Sequence, residues 1–234
     1  MQQVAVSTAS FCLWDIGPAG KLTICKELGC DRVEVAFSSV KMLKDFVSFP
    51  SPLIQLAEFK HITIHMPWCG VSYGNNATSR KIMDYVQLIN EKLQVEAFVI
   101  HFDTISDFDW VEKRDFPVYL ENALRNGSWP LFQHVLKNYP FDCVLDINRA
   151  TRFGDYLDQI IEEHRDDIKE IHVSGFINDL GRIPIRESNQ EPLLDRVKEI
   201  NVPFVIEGLF SPGDLEAIRK EIRLIQDKTC CLEL

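Results

Sequence analysis

The sequence predicts a single-domain (β/α)8 TIM barrel spanning residues 1–234. Three observations carry that expectation. Eight short runs of β-branched or apolar residues recur along the chain, and seven of them carry a polar residue in their last two positions. Amphipathic stretches with apolar residues at helical spacing separate several of them, which implies parallel strands joined by crossover connections. No linker-like change of composition divides the chain, and a barrel of this length is commonly one domain.

In chain order the runs are "VAVST" (4–8), "RVEVAF" (32–37), "ITIHM" (62–66), "AFVIHF" (97–102), "PVYLE" (117–121), "CVLDI" (143–147), "IKEIHV" (168–173) and "PFVIEG" (203–208). The helical stretches include "RKIMDYVQLINEKLQ" (80–94), "DYLDQIIEEHRDD" (155–167) and "DLEAIRKEIRLIQDK" (214–228), the last preceded by the start signal Ser211-Pro212. No GxGxxG follows the first run, which argues against an open doubly wound sheet. Between the fourth and fifth runs, "DTISDFDWVEKRDF" leaves room for only a brief helix, so the barrel is expected to be pinched or irregular there.

Composition narrows the function classes. Hydrophobic residues make up 46% of the chain, enough for one large core, and the net charge of −10 disfavours binding to phosphate backbones. No apolar run approaches the ~20 residues of a membrane span. The start "MQQVAVSTASF" lacks the pattern of a secretory signal. The seven cysteines (12, 25, 30, 69, 143, 230 and 231) form no CxxC pair, so reduced thiols and a cytoplasmic location are expected. The adjacent Cys230 and Cys231 read as tail residues without chemistry.

Barrel active sites are built at the C-terminal ends of the strands. There the third to eighth runs carry His65, His101, Glu121, Asp146, His172 and Glu207. Singly, each would be an ordinary hydrogen-bonded histidine or a helix-capping acid. Together, three carboxylates and three imidazoles in one mouth repel and are costly to desolvate unless a cation joins them. Two positions earlier stand Thr63, Val99, Tyr119, Val144, Glu170 and Val205, a mostly apolar layer in which Glu170 is the misfit. The set Glu121, Asp146, His172 and Glu207 suits Mn2+ first, with Mg2+, Co2+ or Zn2+ as substitutes. His65 and His101 either join Glu121 around a second ion or hydrogen-bond the substrate.

These residues lie in stretches that resemble the xylose isomerase-like barrel superfamily, which contains sugar isomerases and epimerases and the endonuclease IV group. "ELGCDRVEV" (27–35), with Glu34 in its usual place, resembles the signature leading into strand two. "IHMPW" (64–68), "VIHFD" (99–103), "YLEN" (119–122), "LDINRA" (145–150), "IKEIHVSG" (168–175) and "FVIEG" (204–208) resemble the motifs of strands three to eight. The resemblance implies that Glu121 and Glu207 act as paired acid/base groups while a divalent metal holds adjacent sugar oxygens and stabilises an enediolate. Arg149 stands where the family often has a histidine, and Gly175 where it often has an acid. Residues 176–190 contain no histidine, so the trinuclear zinc site of endonuclease IV is incomplete.

Arg149, Arg182 and Arg186 fall in loops on the same side of the barrel and would hold a phosphate or carboxylate on the substrate. Trp14 and Phe11, after the first run, and Trp68, after the third, would wall the pocket. The expected protein is therefore a metal-dependent isomerase or epimerase of a small carbohydrate, phosphorylated or not. It needs no nucleic acid or membrane partner, and a homodimer is compatible with it. Two rivals stand beside it: a di-metal phosphoester hydrolase and a non-catalytic metabolite-binding barrel.

Overall fold

The computed structural model describes residues 3–123, 128–178 and 180–229; Cys230 and Cys231 lie outside them. Its strands are β1 (Val4–Ser7), β2 (Arg32–Ala36), β3 (His61–His65), β4 (Ala97–His101), β5 (Val118–Glu121), β6 (Asp142–Asp146), β7 (Ile168–Val173), β8 (Gly175–Ile177), β9 (Leu180–Ile183) and β10 (Phe204–Ile206). Among the described residues, β1 to β7 and β10 close into an eight-stranded parallel barrel, and β8 and β9 form a separate antiparallel hairpin. The helices are α1 (Pro18–Glu27), α2 (Val40–Ser48), α3 (Pro50–Leu56), α4 (Ala77–Asn90), α5 (Phe108–Glu112), α6 (Trp129–Asn138), α7 (Ile147–Arg152), α8 (Leu157–His164), α9 (Pro192–Val197) and α10 (Leu215–Thr229).

Local chemistry starts these helices where the sequence offers it. Asn76 caps α4 by accepting from Ser79 N at 2.9 Å, and Asp214 accepts from Ala217 N at 2.9 Å at the head of α10. Proline opens α1, α3 and α9, where its missing N–H costs nothing. The strands are buried on both faces, β2 and β4 throughout their length. Helices cover the barrel outside and side chains fill it inside, so the runs read as nearly continuous apolar sequence.

The predicted irregularity beside β4 and β5 is absent. Their pairing is regular from Phe98↔Val118 to His101↔Glu121. The connection is brief, as expected, with α5 spanning five residues. Tyr73 ties this connection to the loop after β3: its N donates to Thr104 O at 2.7 Å and its buried hydroxyl to Pro67 O at 2.7 Å. The irregularity lies instead between β6 and β7, where Cys143 pairs with Ile168 but Val144 pairs with Glu170. The extra residue, Lys169, reaches outward to Asp142 Oδ1 at 3.4 Å. This bulge sets Glu170 and His172 on the same inner face as Val144 and Asp146.

The hairpin β8–β9 has no counterpart among the predicted elements. Its first residue, Gly175, occupies the position where an acid was noted as missing. A Cβ there would overlap the Ser188 side chain and crowd Gln190 Oε1. Both neighbours are committed: Ser188 Oγ donates to Ile185 O at 2.8 Å, and Gln190 Oε1 accepts from Phe176 N at 2.7 Å. Gly175→Asp should therefore cost about 1–3 kcal/mol and lower the melting temperature by about 2–12 °C. An unchanged melting temperature would show that the turn has room.

Glu221 of α10 is 1% exposed and supports the turn after the hairpin, accepting from Ile185 N at 2.5 Å and Arg186 N at 3.4 Å. Burial pushes its carboxyl up to about 7, against those two hydrogen bonds. The folded value is raised, so the contribution to stability is full below the ordinary carboxylate value of ~4.3 and is lost as pH rises through 7. The melting-temperature advantage of wild type over Glu221→Gln should shrink by a few degrees between pH 5 and pH 8. A difference that does not vary with pH would contradict this.

Candidate functional site

Glu121 closes β5 and is 1% exposed. Its Oε2 lies 2.8 Å from His65 Nε2, 3.3 Å from His101 Nε2 and 3.7 Å from His172 Nδ1, while Oε1 lies 3.4 Å from Arg149 Nε. Burial alone would raise the Glu121 carboxyl, but His101 and His65 hold it well below the usual carboxylate range. Burial lowers His101, whereas Glu121 and Glu34 outweigh burial at His65 and raise it.

Pairing explains how residues from different strands meet. His101 pairs with Glu121, and Asp146 pairs with His172. The register climbs by two residues elsewhere: His65 pairs with Val99, and Val205 with His172. Strand tilt absorbs that climb, so side chains two residues apart in register still reach one mouth.

His172 is fully buried, and the two sides of its ring face different partners. Nε2 lies 3.1 Å from Glu34 Oε2 and 3.2 Å from Glu170 Oε1. Nδ1 makes no hydrogen bond and lies 3.7 Å from both Glu121 Oε2 and Glu207 Oε2. A buried ring nitrogen facing two carboxylate oxygens without a proton partner is a donor set that a divalent cation fits. Glu34 and Glu207, after the opposing effect of burial, hold the imidazole well above its ordinary value.

Asp146 has two tasks. Its Oδ1 accepts from Arg149 N at 3.0 Å, capping α7, and its Oδ2 lies 3.4 Å from Arg149 Nε. Burial and the Glu121 charge push its carboxyl up to about 7. Its backbone is clamped by Asn122, whose Oδ1 accepts from Asp146 N at 2.6 Å and whose Nδ2 donates to Asp146 O at 3.0 Å. The Arg149 guanidinium thus stands between two of the predicted ligand carboxylates.

These groups line a cavity of about 310 Å3 with Trp68, Asn148, Arg152, Phe153, Gly181, Arg182 and Glu207. Trp68 stacks on His101 at 5.5 Å and meets His65 edge-on at 4.8 Å between ring centroids. Arg182 enters from β9 with φ +62°, a backbone strain that non-glycine residues seldom carry. Its Nε donates to Glu207 O at 3.3 Å, and its Nη2 is buried without a hydrogen-bond partner. Gly181 lets Arg152 approach, since a Cβ there would meet Arg152 Nη1 at 2.9 Å.

Of the predicted site residues, the cavity lining includes His65, His101, Glu121, Asp146, Glu207, Arg149, Arg182 and Trp68, with His172 immediately beneath. Trp14 is not in that lining. Its Nε1 donates to Phe210 O at 3.0 Å and its ring packs on Phe11, so it anchors a loop. Among the described residues, donor atoms gather closely in two clusters, His65–His101–Glu121 and Glu34–Glu170–His172; of the four predicted ligands, Glu121 falls in the first, His172 in the second, and Asp146 and Glu207 in neither. Sequence reasoning missed Asn122, Asn148, Arg152, Phe153 and Gly181. The "EN" of "YLEN" was a usable signal for Asn122, whereas the others depend on where the hairpin falls.

No protein-family model matches the chain, and no curated protein matches it by sequence. Solved structures do. A 3-keto-D-glucoside 4-epimerase from E. coli in its apo form has 13% identity over 97% of this chain and 100% of that one, with a TM-score of 0.64. A probable 3-DHS dehydratase from Bacillus anthracis has 12% identity over 96% and 98%, with a TM-score of 0.66. The IolI protein with a bound zinc atom has 17% identity over 98% of each chain, with a TM-score of 0.64. At these identities the likeness establishes the fold, and the barrel expected from the strand-end motifs is the barrel observed.

Asn122 is fully buried, and its side chain accounts for two backbone bonds at the Asp146 rim. Asn122→Ala should cost about 1–3 kcal/mol, read as a lower urea midpoint with an unchanged slope. A midpoint equal to wild type would show that the clamp is idle.

Proposed function

We propose that the protein is a metal-dependent isomerase or epimerase of a small sugar or related polyol. The observation that carries this reading is the orphaned His172 Nδ1, facing Glu121 and Glu207 at 3.7 Å each beneath a polar cavity of about 310 Å3. Glu121, Asp146, His172 and Glu207 would hold the cation, with Mn2+ the first choice. Bound there, it would supply Lewis acidity to adjacent substrate oxygens and offset the carboxylate charge. The sugar epimerases among the structural neighbours, and the zinc carried by one neighbour, support the same reading.

The chain's own residues divide the remaining work. Glu121 and Glu207 flank the mouth from strands separated by β6 and β7. One takes a proton from the carbon beside a substrate carbonyl, and the other returns one. Arg149, Arg152 and Arg182 give the cavity three guanidinium groups for a phosphate, carboxylate or hydroxyl on the far end of the substrate. Trp68 and Phe153 supply apolar wall and keep water from the reacting carbon.

A second reading, a di-metal phosphoester hydrolase, rests on the His65–His101–Glu121 cluster, two imidazoles and a carboxylate close enough for a second ion. One ion per chain by elemental analysis favours the isomerase, and two favour the hydrolase. With a net charge of −10, no incision of abasic-site duplex DNA is expected on either reading.

Conservative variants test the acid/base roles. Glu121→Gln and Glu207→Gln keep a coordinating oxygen but remove the base, so exchange of a substrate C–H with deuterated water should fall at least ~10²-fold even at saturating Mn2+. Asp146→Asn should lose cation and activity together and regain part of the activity with excess Mn2+. Equal rescue of all three would move the acid/base role elsewhere in the mouth.

A further inference from the structure

Glu170 is the residue that fits worst as barrel filling. Its pairing partner on β6 is Val144, and Val99 and Val205 stand two residues before the rim positions of β4 and β10, yet Glu170 is a carboxylate with 1% exposure. Such a group persists inside a barrel only where partners meet it. Its Oε1 lies 3.2 Å from His172 Nε2, and its Oε2 accepts from Thr63 Oγ1 at 3.4 Å and lies 3.7 Å from Arg32 Nη1. Arg32 is braced in turn by Glu96 Oε2 at 2.6 Å. Residues from β2, β3 and β7 therefore fix which way Glu170 points. Glu34, with no exposed surface, closes on the same ring nitrogen from β2 at 3.1 Å.

We propose that Glu170, together with Glu34, is a positioning residue that holds the Nε2 proton of His172 at the barrel floor and so makes Nδ1 the nitrogen that a cation in the mouth would take. This rests on the reading of His172 as a cation ligand. A neutral imidazole carries one ring proton, and the nitrogen that bears it cannot coordinate. Nε2 is hydrogen-bonded to Glu170 and has Glu34 Oε2 at 3.1 Å, whereas Nδ1 has no hydrogen-bond partner, so the ring proton a cation would displace is the one at Nδ1. The β6–β7 bulge is what makes this possible, because it sets Glu170 and His172 together on the inner face. The same three groups, Glu34, Glu170 and His172, also have the spacing of a cation site. Arg32 already supplies positive charge to Glu170, and a cation there would need the nitrogen that the two carboxylates protonate.

The test uses metal-free wild type, Glu170→Gln and Glu170→Leu, each checked for folding by circular dichroism and titrated with Co2+. Wild type should take up one Co2+ in the mouth, with a hyperfine-shifted ring N–H signal that exchanges slowly with solvent. Glu170→Leu should bind Co2+ about 10–100-fold more weakly and lose the slow exchange. Glu170→Gln should fall between them, because its amide oxygen still accepts from Nε2; it carries the test alone if the leucine variant does not fold. A folded Glu170→Leu with wild-type affinity and a wild-type N–H signal overturns the proposal, since a packing role would move neither. A second Co2+ that disappears in Glu170→Leu also overturns it, because Glu170 would then be a ligand. Wild type that takes up no Co2+ overturns the cation reading itself, which is a distinguishable failure.

Discussion

A carboxylate sealed at the end of a barrel strand must be met by positive charge or by donors, and Glu121 is met by both. Two imidazoles lie within 3.3 Å of one oxygen, a third at 3.7 Å, and a guanidinium stands at 3.4 Å from the other. Much of the mouth follows from that requirement. His65 and His101 are held by it and give Trp68 a surface to pack on. Arg149 is held between Glu121 and Asp146, and Asp146 begins the helix that carries Arg149. The chain thus balances much of its acid with its own bases. Any divalent ion entering must displace the arginine contacts or share them.

The balance continues downward. Beneath the mouth, His172 stands between the rim carboxylates and the pair Glu34 and Glu170, and Arg32 links Glu170 to Glu96 near the opposite end. A barrel interior is ordinarily filled by branched apolar side chains in layers. Here part of that filling is a chain of alternating charges that runs through several strands. Such a column makes a poor source of stability, since buried pairs recover little beyond their desolvation. It is a good source of orientation, because each member has few positions that satisfy its neighbours.

The eight strand runs were legible because parallel strands buried on both faces leave short, dense apolar segments. The rim acids and histidines were legible because each ends such a segment. Glu170 was noticed as a misfit but not explained, since its partners Arg32 and Thr63 come from strands more than 100 residues earlier in the chain. The bulge at Lys169 leaves no mark in local composition. The hairpin β8–β9 was missed because "GFIN" and "LGRI" are short and half-exposed, and its turn relies on Asn178 at φ +52° rather than on a glycine. Trp14 looked like a pocket wall because it follows a strand end, but the loop after β1 folds it onto Phe11 and Phe210.

The central claim is that one divalent ion sits among Glu121, Asp146, His172 and Glu207. Crystals grown with Mn2+ and measured near its absorption edge test it most directly. The account predicts one anomalous peak, roughly 2.0–2.6 Å from a donor atom of each of the four. A peak enclosed by His65, His101 and Glu121 without His172, or no peak with the Arg149 guanidinium still seated between Glu121 and Asp146, would contradict it.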